Sequence, residues 1–466
     1  MKTFNKLLLF GTSTLVSVTA FSKNQPNIVY IFADQWRAQE FGFMGNENVE
    51  TPNIDRLSSE SLVFSRAYSN CPVSGAYRAS LLTGTYPLTH GVFYNDKPLA
   101  KKFISIAEAL NDAGYNTAYI GKWHLDGHGR DAFIPKDRRL GFEYWKAREC
   151  THDYNNSFYF ADTPDTLRWN GYDAIAQTDD AMQYIVQHDK NKPFALFLSW
   201  GPPHDPYNTA PQEFKDKYKD LSKIKLRGNV PEKDQNNARK SLAGYYAHIA
   251  ALDYCMGKLM ECIKQNQLDE NTIFIFTSDH GDMQYSHGQV NKQKPWDESI
   301  NVPFLLRYPA VFGKEKKDIN SIMNAPDIMP SILSLSGVKI PKTVEGVDLS
   351  KNWIKGVDSK DTVSLIASYI PFHQWNYKRG GREYRGIRTL RYTYVRDLKG
   401  PWILYDNQTD YLQLKNLVNL PEYTSIQANL DNILNKKLKQ QKDEFLPGDA
   451  YMKMWNYKYD RVDLEK

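Results

Sequence analysis

Four apolar runs in this chain each stop at a polar motif. Residues 26–33 end at Asp34, residues 116–120 at Gly121-Lys122, residues 194–200 ahead of Pro202-Pro203-His204, and residues 272–277 at Ser278-Asp279-His280-Gly281. Short runs rich in Ile, Phe and Tyr with no polar face read as strands buried on both sides. Residues 302–306 read as a further strand. Between the runs lie stretches with apolar residues at helical spacing, the longest from Leu242 to Ile263. Thr51-Pro52 reads as a capped helix start, and another helix opens at Asp327. Strands that alternate with helices make an α/β sheet. Ligands of such sheets gather beyond the carboxyl ends of the strands, where these polar motifs fall.

At 466 residues the chain is long enough for a large domain and a smaller one. After about residue 370 the pattern changes: residues 384–395 and 403–406 read as antiparallel strands, and residues 421–442 carry helical Leu and Ile spacing. The expected division is a signal peptide over 1–22, a catalytic domain over 23–368 and a C-terminal subdomain over 369–466. Lys2 and Lys6 precede an apolar stretch that Thr and Ser interrupt, with small residues at Ala20-Phe21-Ser22. The stretch is too short for a comfortable bilayer span, so the mature chain is expected to be exported, periplasmic or secreted, with no stable membrane span. A net charge of +5 is no nucleic-acid footprint. Cys255 and Cys262 on one helix would lie about 10 Å apart, beyond disulfide reach. They and Cys71 and Cys150 read as buried free thiols. The Lys- and Asn-rich residues 215–240 read as an exposed, solvated insertion.

Ser74 stands in the run Cys71-Pro72-Val73-Ser74-Gly75-Ala76-Tyr77-Arg78-Ala79-Ser80-Leu81-Leu82-Thr83-Gly84. A serine hydroxyl is a weak nucleophile unless something activates it. Arg78 follows one helical turn later, and a helix N-terminus here would add positive potential for an anion. Asp34, Gln35 and Asp279 are hard oxygen donors, which suit Ca²⁺ or Mg²⁺ better than Zn²⁺. Lys122 and His124 are two apart, so they point the same way if the backbone stays extended. His204 follows two stiffening prolines and is a candidate proton-transfer group. Alone, each has a plain structural account: a helix cap for an Asp, a surface pair for Lys122 and His124, a locally bonded loop histidine for His204. Together they compose one anion site.

Taken in order, these motifs resemble those of the type I sulfatases. In that family a Cys or Ser, followed by Pro or Ala two residues on and Arg four residues on, is oxidised to Cα-formylglycine. Here the frame is Ser74-x-Ala76-x-Arg78, the serine form with Ala in place of the commoner Pro. Gly121-Lys122-Trp123-His124, Pro202-Pro203-His204, Ser278-Asp279-His280-Gly281 and the run from His287-Gly288 through Lys292 to Trp296-Asp297-Glu298-Ser299 resemble further signatures, from Pro26 to about Asp406. The resemblance implies an alkaline-phosphatase-like α/β/α sandwich with a smaller C-terminal subdomain of antiparallel sheet plus helix. It implies one Ca²⁺ held by Asp34, Gln35, the modified Ser74, Asp279 and His280, with His280 either a ligand or a hydrogen-bonding neighbour. Gln35 departs from the family, which more often has Asp there.

The same resemblance implies catalytic roles for Ser74, Arg78, Lys122, His124, His204 and Lys292, with Lys292 rather than Lys294 as the substrate lysine. The hydrated aldehyde would attack sulfur while Lys122, Lys292 and Arg78 offset charge. His204 or Lys292 would protonate the departing alcohol, and His124 or Asp279 would accept the final proton. A serine frame implies a radical-type maturase as partner. The expected substrate is a sulfated oligosaccharide of algal or host origin. A small aryl or alkyl sulfate, and a phosphate or phosphonate ester, are the alternatives. A sulfated-glycan binding protein with unmodified Ser74 is the non-enzyme alternative. In residues 368–382, His373, Arg379 and Arg382 are candidates for substrate contact, and Phe372 and Trp375 for a packed hinge.

Overall fold

The computed structural model describes residues 25–458, so the signal expected over 1–22 lies outside the described residues. The central sheet has eight strands: β1 Asn27–Asp34, β2 Leu62–Phe64, β3 Asn116–Lys122, β4 Tyr144–Arg148, β5 Phe194–Pro203, β6 Thr272–Ser278, β7 Phe304–Arg307 and β8 Lys317–Ile319. Their spatial order is β8-β2-β7-β6-β1-β5-β3-β4. β1 lies between parallel partners β5 and β6, β3 and β4 continue in the same direction, and β7 runs antiparallel to both its neighbours.

Helices α1 Ser74–Thr83, α2 Asp173–Gln187, α3 Gln235–Gln265 and α4 Ala325–Leu335 cover the sheet. The alternation of side chains along β1 sorts the layers. Ile28, Tyr30 and Phe32 enter one core with α1 and α4, while Val29, Ile31 and Ala33 enter the other with α2 and α3. Because both faces are covered, the strand has no polar face to show, which explains its unbroken apolar sequence. Each buried Val, Ile or Phe of β1 contributes roughly 1.5–3 kcal/mol relative to exposure.

The C-terminal subdomain is a four-stranded antiparallel sheet, β9 Val363–Ser368, β10 Tyr384–Thr389, β11 Tyr392–Asp397 and β12 Gly400–Asp406, with helix α5 Thr424–Gln440. Leu430, Leu434 and Leu438 of α5 pack on Leu365, Ile387, Tyr394 and Leu404. The opposite face presents Ile366, Tyr384, Val395 and Ile403 to Tyr68 and Ile300 of the large domain. The sheet thus begins at β9, ahead of the boundary expected at 369.

Residues 215–240 are a correction. The segment is mostly exposed or half-buried, but Tyr218, Ile224, Asn229 and Val230 are buried, so it is anchored as a wall of the molecule and is more than a solvated insertion. All four cysteines are free and buried. Among the described residues no helix is long and apolar enough to cross a membrane.

Candidate active site

The polar residues that follow the parallel strands meet at one edge of the sheet: Asp34 ends β1, Lys122 ends β3, His204 follows β5 and Asp279 follows β6. α1 starts at the same edge, so Ser74 is brought to it. Ser74 Oγ lies 3.0 Å from His280 Nε2 and 3.4 Å from Asp34 Oδ1. The buried Arg78 donates Nη2 to Asp34 Oδ2 at 3.3 Å and to Asp279 Oδ2 at 3.4 Å, and Nη1 to Ser199 Oγ at 2.6 Å. The Lys122 ammonium donates to Asp34 Oδ2. Gly121 makes this approach possible: its φ is +103°, and a Cβ there would sit 2.0 Å from the Ser199 carbonyl oxygen.

The extended backbone on which Lys122 and His124 would point the same way does not persist. His124 has φ 60, a left-handed conformation that ends the extended backbone. Its Nε2 pairs with Asp96 Oδ1 at 3.1 Å, and its buried Nδ1 has no hydrogen-bond partner. Burial lowers its pKa to about 3 although Asp96 opposes this, so the ring is neutral. A neutral ring bonded to a carboxylate carries its proton on Nε2, which leaves Nδ1 as an acceptor.

His204 and Lys292 form a second unit. Lys292 Nζ lies 2.9 Å from His204 Nε2, and His204 Nδ1 lies 2.8 Å from the Asp205 carbonyl oxygen. A carbonyl only accepts, so Nδ1 carries the ring proton and Nε2 accepts from the ammonium. Burial and then the Lys292 charge hold His204 well below the usual histidine range. Lys294 is turned away, donating to the carbonyls of Val290 at 2.6 Å and Lys292 at 3.0 Å.

The oxygen-rich side fits a hard cation. One ligand atom each from Asp34, Asp279 and His280 falls within 4.8 Å of the others. Gln35 Oε1 is buried without a partner, while its Nε2 is fixed by Asp282 Oδ2 at 2.7 Å. Leaving such an oxygen bare costs about 1–3 kcal/mol, which a bound cation would remove. Asp279 is pushed up to about 6 by burial and then by the charge of Asp34. Burial also raises Asp34, but Lys122, His204, Lys292 and His280 outweigh it and hold Asp34 well below the usual carboxylate range. His280 Nδ1 pairs with the Gly281 carbonyl at 3.0 Å, so its Nε2 keeps a free pair toward Ser74.

Residues 26–338 match the sulfatase family model, and residues 286–441 match the model of the N-sulphoglucosamine sulphohydrolase C-terminal region. This chain belongs to the sulfatase family. An ulvan-active sulfatase of Formosa agariphila is 45% identical over 93% of this chain and 85% of its own length. An endo-4-O-sulfatase of Bacteroides thetaiotaomicron is 33% identical over 84% of this chain and 88% of its own. A solved structure from work on glycosaminoglycan metabolism in Bacteroides thetaiotaomicron superposes with a TM-score of 0.83 at 30% identity, covering 90% of this chain and 97% of that one. The sulfatase is accordingly an enzyme, a sulfuric ester hydrolase, on the alkaline-phosphatase-like sandwich expected from its sequence.

Several residues of this sulfatase's site were not singled out from the sequence. Asp96 holds His124, Ser199 holds Arg78, and the His152 ring stacks on His204 at 4.7 Å. Asp282, which fixes Gln35, lies three residues beyond Asp279 in one polar run and was findable there. Asp96 and His152 carry no local signal. In the segment proposed to touch substrate, Phe372 and Trp375 are buried. His373 and Arg379 are exposed. Arg382 donates to Asp397 Oδ2 at 2.8 Å and lies 4.3 Å over the Trp402 ring.

Proposed function

We propose that this sulfatase removes sulfate esters from a sulfated saccharide, with position 74 converted to Cα-formylglycine and one Ca²⁺ held by Asp34, Gln35, Asp279, His280 and position 74. The observation that carries the reading is the convergence of Ser74, Arg78 and Lys122 on Asp34, with His280 beside the Ser74 hydroxyl, in a chain 45% identical to an ulvan-active sulfatase. Bound Ca²⁺ would supply positive charge toward the sulfate oxygens. Oxidation of Ser74 would give an aldehyde whose hydrate offers a hydroxyl to sulfur.

The other roles follow from the side chains. Lys122, Lys292 and Arg78 offset the negative charge that develops on the sulfuryl oxygens. Because His204 is neutral and accepts from Lys292, the proton for the departing alcohol resides on Lys292, with His204 placing it. His124 Nδ1, free and unprotonated, accepts the proton when sulfate leaves, and Asp279 is the second acceptor. Export to the periplasm and maturation by a radical-type enzyme belong to the same reading.

The test is sulfate release from ulvan oligosaccharides, followed by ion chromatography, by the wild type and Ser74→Ala. The variant should fold with an unchanged circular dichroism spectrum and lose at least about 10³-fold in kcat/KM. More than a trace of activity in Ser74→Ala would defeat the reading.

A further inference from the structure

A cleft of about 820 Å³ opens beside the catalytic cluster. Asp205, Tyr207 and Asp282 line its inner end, and all three lie within hydrogen-bond reach of Gln35 Nε2. One wall comes from α3, where Asn237, Lys240, Ser241 and Gly244 recur at helical spacing and face the cleft together. Gly244 lets the neighbouring loop close on the helix, since a Cβ there would sit 2.2 Å from the Tyr207 carbonyl oxygen. The facing wall is the anchored segment after Tyr207, which contributes Lys215 and Lys219.

The charges of this cleft are distributed unevenly. Its three carboxylates keep their charge but are engaged from within: Asp282 takes Gln35 Nε2 and the Tyr207 hydroxyl, Asp205 takes Asn291 Nδ2 at 3.1 Å, and Asp216 takes Gln212 Nε2 at 3.0 Å. Its lysines are not. Lys215, Lys219 and Lys240 form no salt bridge among the described residues, and Lys215 Nζ reaches only the Asn208 carbonyl at 3.4 Å. Neighbours on the same segment that lie outside the cleft do pair: Lys217 with Glu50, Lys223 with Asp220 and Lys225 with Glu47. Tyr285 at the rim is held at φ 66, a conformation costly for a tyrosine that positions a half-buried ring at the opening.

We infer that this cleft is a subsite for a second anionic sugar of the substrate. Lys215, Lys219 and Lys240 meet its carboxylate or sulfate, and Tyr285 stacks on its ring. The inference rests on the sulfatase reading and deepens it: the substrate is an oligosaccharide with at least two anionic groups, and length selectivity resides in α3 and the segment facing it. The lysines balance the cleft's three carboxylates in number, but only the lysines lack an ion-pair or side-chain partner among the described residues, so they are the groups left to meet an anion, and that attraction weakens with salt.

The test compares two substrates, ulvan oligosaccharides and 4-nitrophenyl sulfate, which is too short to reach the cleft. The combined variant Lys215→Ala, Lys219→Ala and Lys240→Ala should raise KM for the oligosaccharides about tenfold, with kcat little changed and a flatter salt dependence. Turnover of 4-nitrophenyl sulfate should stay within about twofold of wild type. Titration calorimetry of the oligosaccharides into Ser74→Ala, with and without the three lysines, reads the cleft independently of turnover and should show the same loss. Equal effects on both substrates, or unchanged oligosaccharide binding, overturn the inference. A wild type that binds the oligosaccharides through these lysines yet releases no sulfate would overturn the proposed function and leave the cleft assignment standing.

Discussion

Lys292 Nζ lies 2.9 Å from His204 Nε2, and the ring's other nitrogen is spent on the Asp205 carbonyl. On the proposed reading, this pairing assigns the proton for the leaving alcohol, which the sequence left open between the two, to Lys292. Burial lowers the Lys292 pKa from its ordinary 10.5 even though Asp34 opposes it. A lowered pKa means that the ammonium is lost at a lower pH than for an exposed lysine. The alkaline limb of kcat/KM should therefore fall below pH 10.5, and Lys292→Met should remove that limb along with most of the activity. A profile that stays flat up to the ordinary lysine range would contradict the assignment. Asp96 is a positioning residue: it fixes the His124 proton on Nε2. Asp96→Asn should lower kcat about tenfold with KM little changed, while Asp96→Glu recovers part of the loss. An equal loss in both variants, tracking a drop in melting temperature, would make Asp96 merely structural.

Among the elements, the strands were the most legible, because a strand buried on both faces is apolar throughout and its end is marked by the first polar residue. The ends of β1, β3, β5 and β6 therefore announced Asp34, Lys122, His204 and Asp279 together. Orientation beyond a strand end was not legible. The backbone turns at His124, whose φ is 60, and nothing in Gly-Lys-Trp-His marks that turn. The helix at Pro52–Ser59 begins where expected, yet the Thr51 side chain makes no cap bond. Asp253 of α3 accepts from the backbone N–H of Asn53 at 3.0 Å and of Ile54 at 2.8 Å, a partner that spacing along the chain cannot supply. Gly121 tests the register at a strand end. Gly121→Ala should destabilise the fold by about 1–3 kcal/mol in urea titration, through both positive φ and the clash with Ser199. No loss of stability would mean that β3 and β5 are less closely apposed than described.

For the whole molecule, the order of the two parts along the chain was legible, but the face joining them was not. Tyr68 and Ile300 of the large domain sit in one core with Ile366, Tyr384 and Val395, and no sequence pattern records which side of an antiparallel sheet is covered by a distant segment. The three lysines of the cleft were hidden for a similar reason: charge along residues 215–240 looks like solvated surface until Tyr218, Ile224 and Val230 are seen to anchor it. A cation bound at the Asp34–Asp279 edge would tie the sheet to α1, so its binding should be visible globally. Removal of metal with a chelator should lower the melting temperature, and saturating Ca²⁺ should restore about 2–4 °C, more than Zn²⁺ does. Asp279→Ala should abolish that increment, and a preferential rescue by Zn²⁺ would contradict the oxygen-donor site. Conversion of position 74 to the reacting group is read from the mass of the peptide spanning residues 67–78 in an active preparation. That peptide should be lighter than the encoded one by two hydrogens, through oxidation of the Ser74 hydroxymethyl group to an aldehyde; an active enzyme whose peptide keeps the encoded mass would mean that Ser74 is not converted.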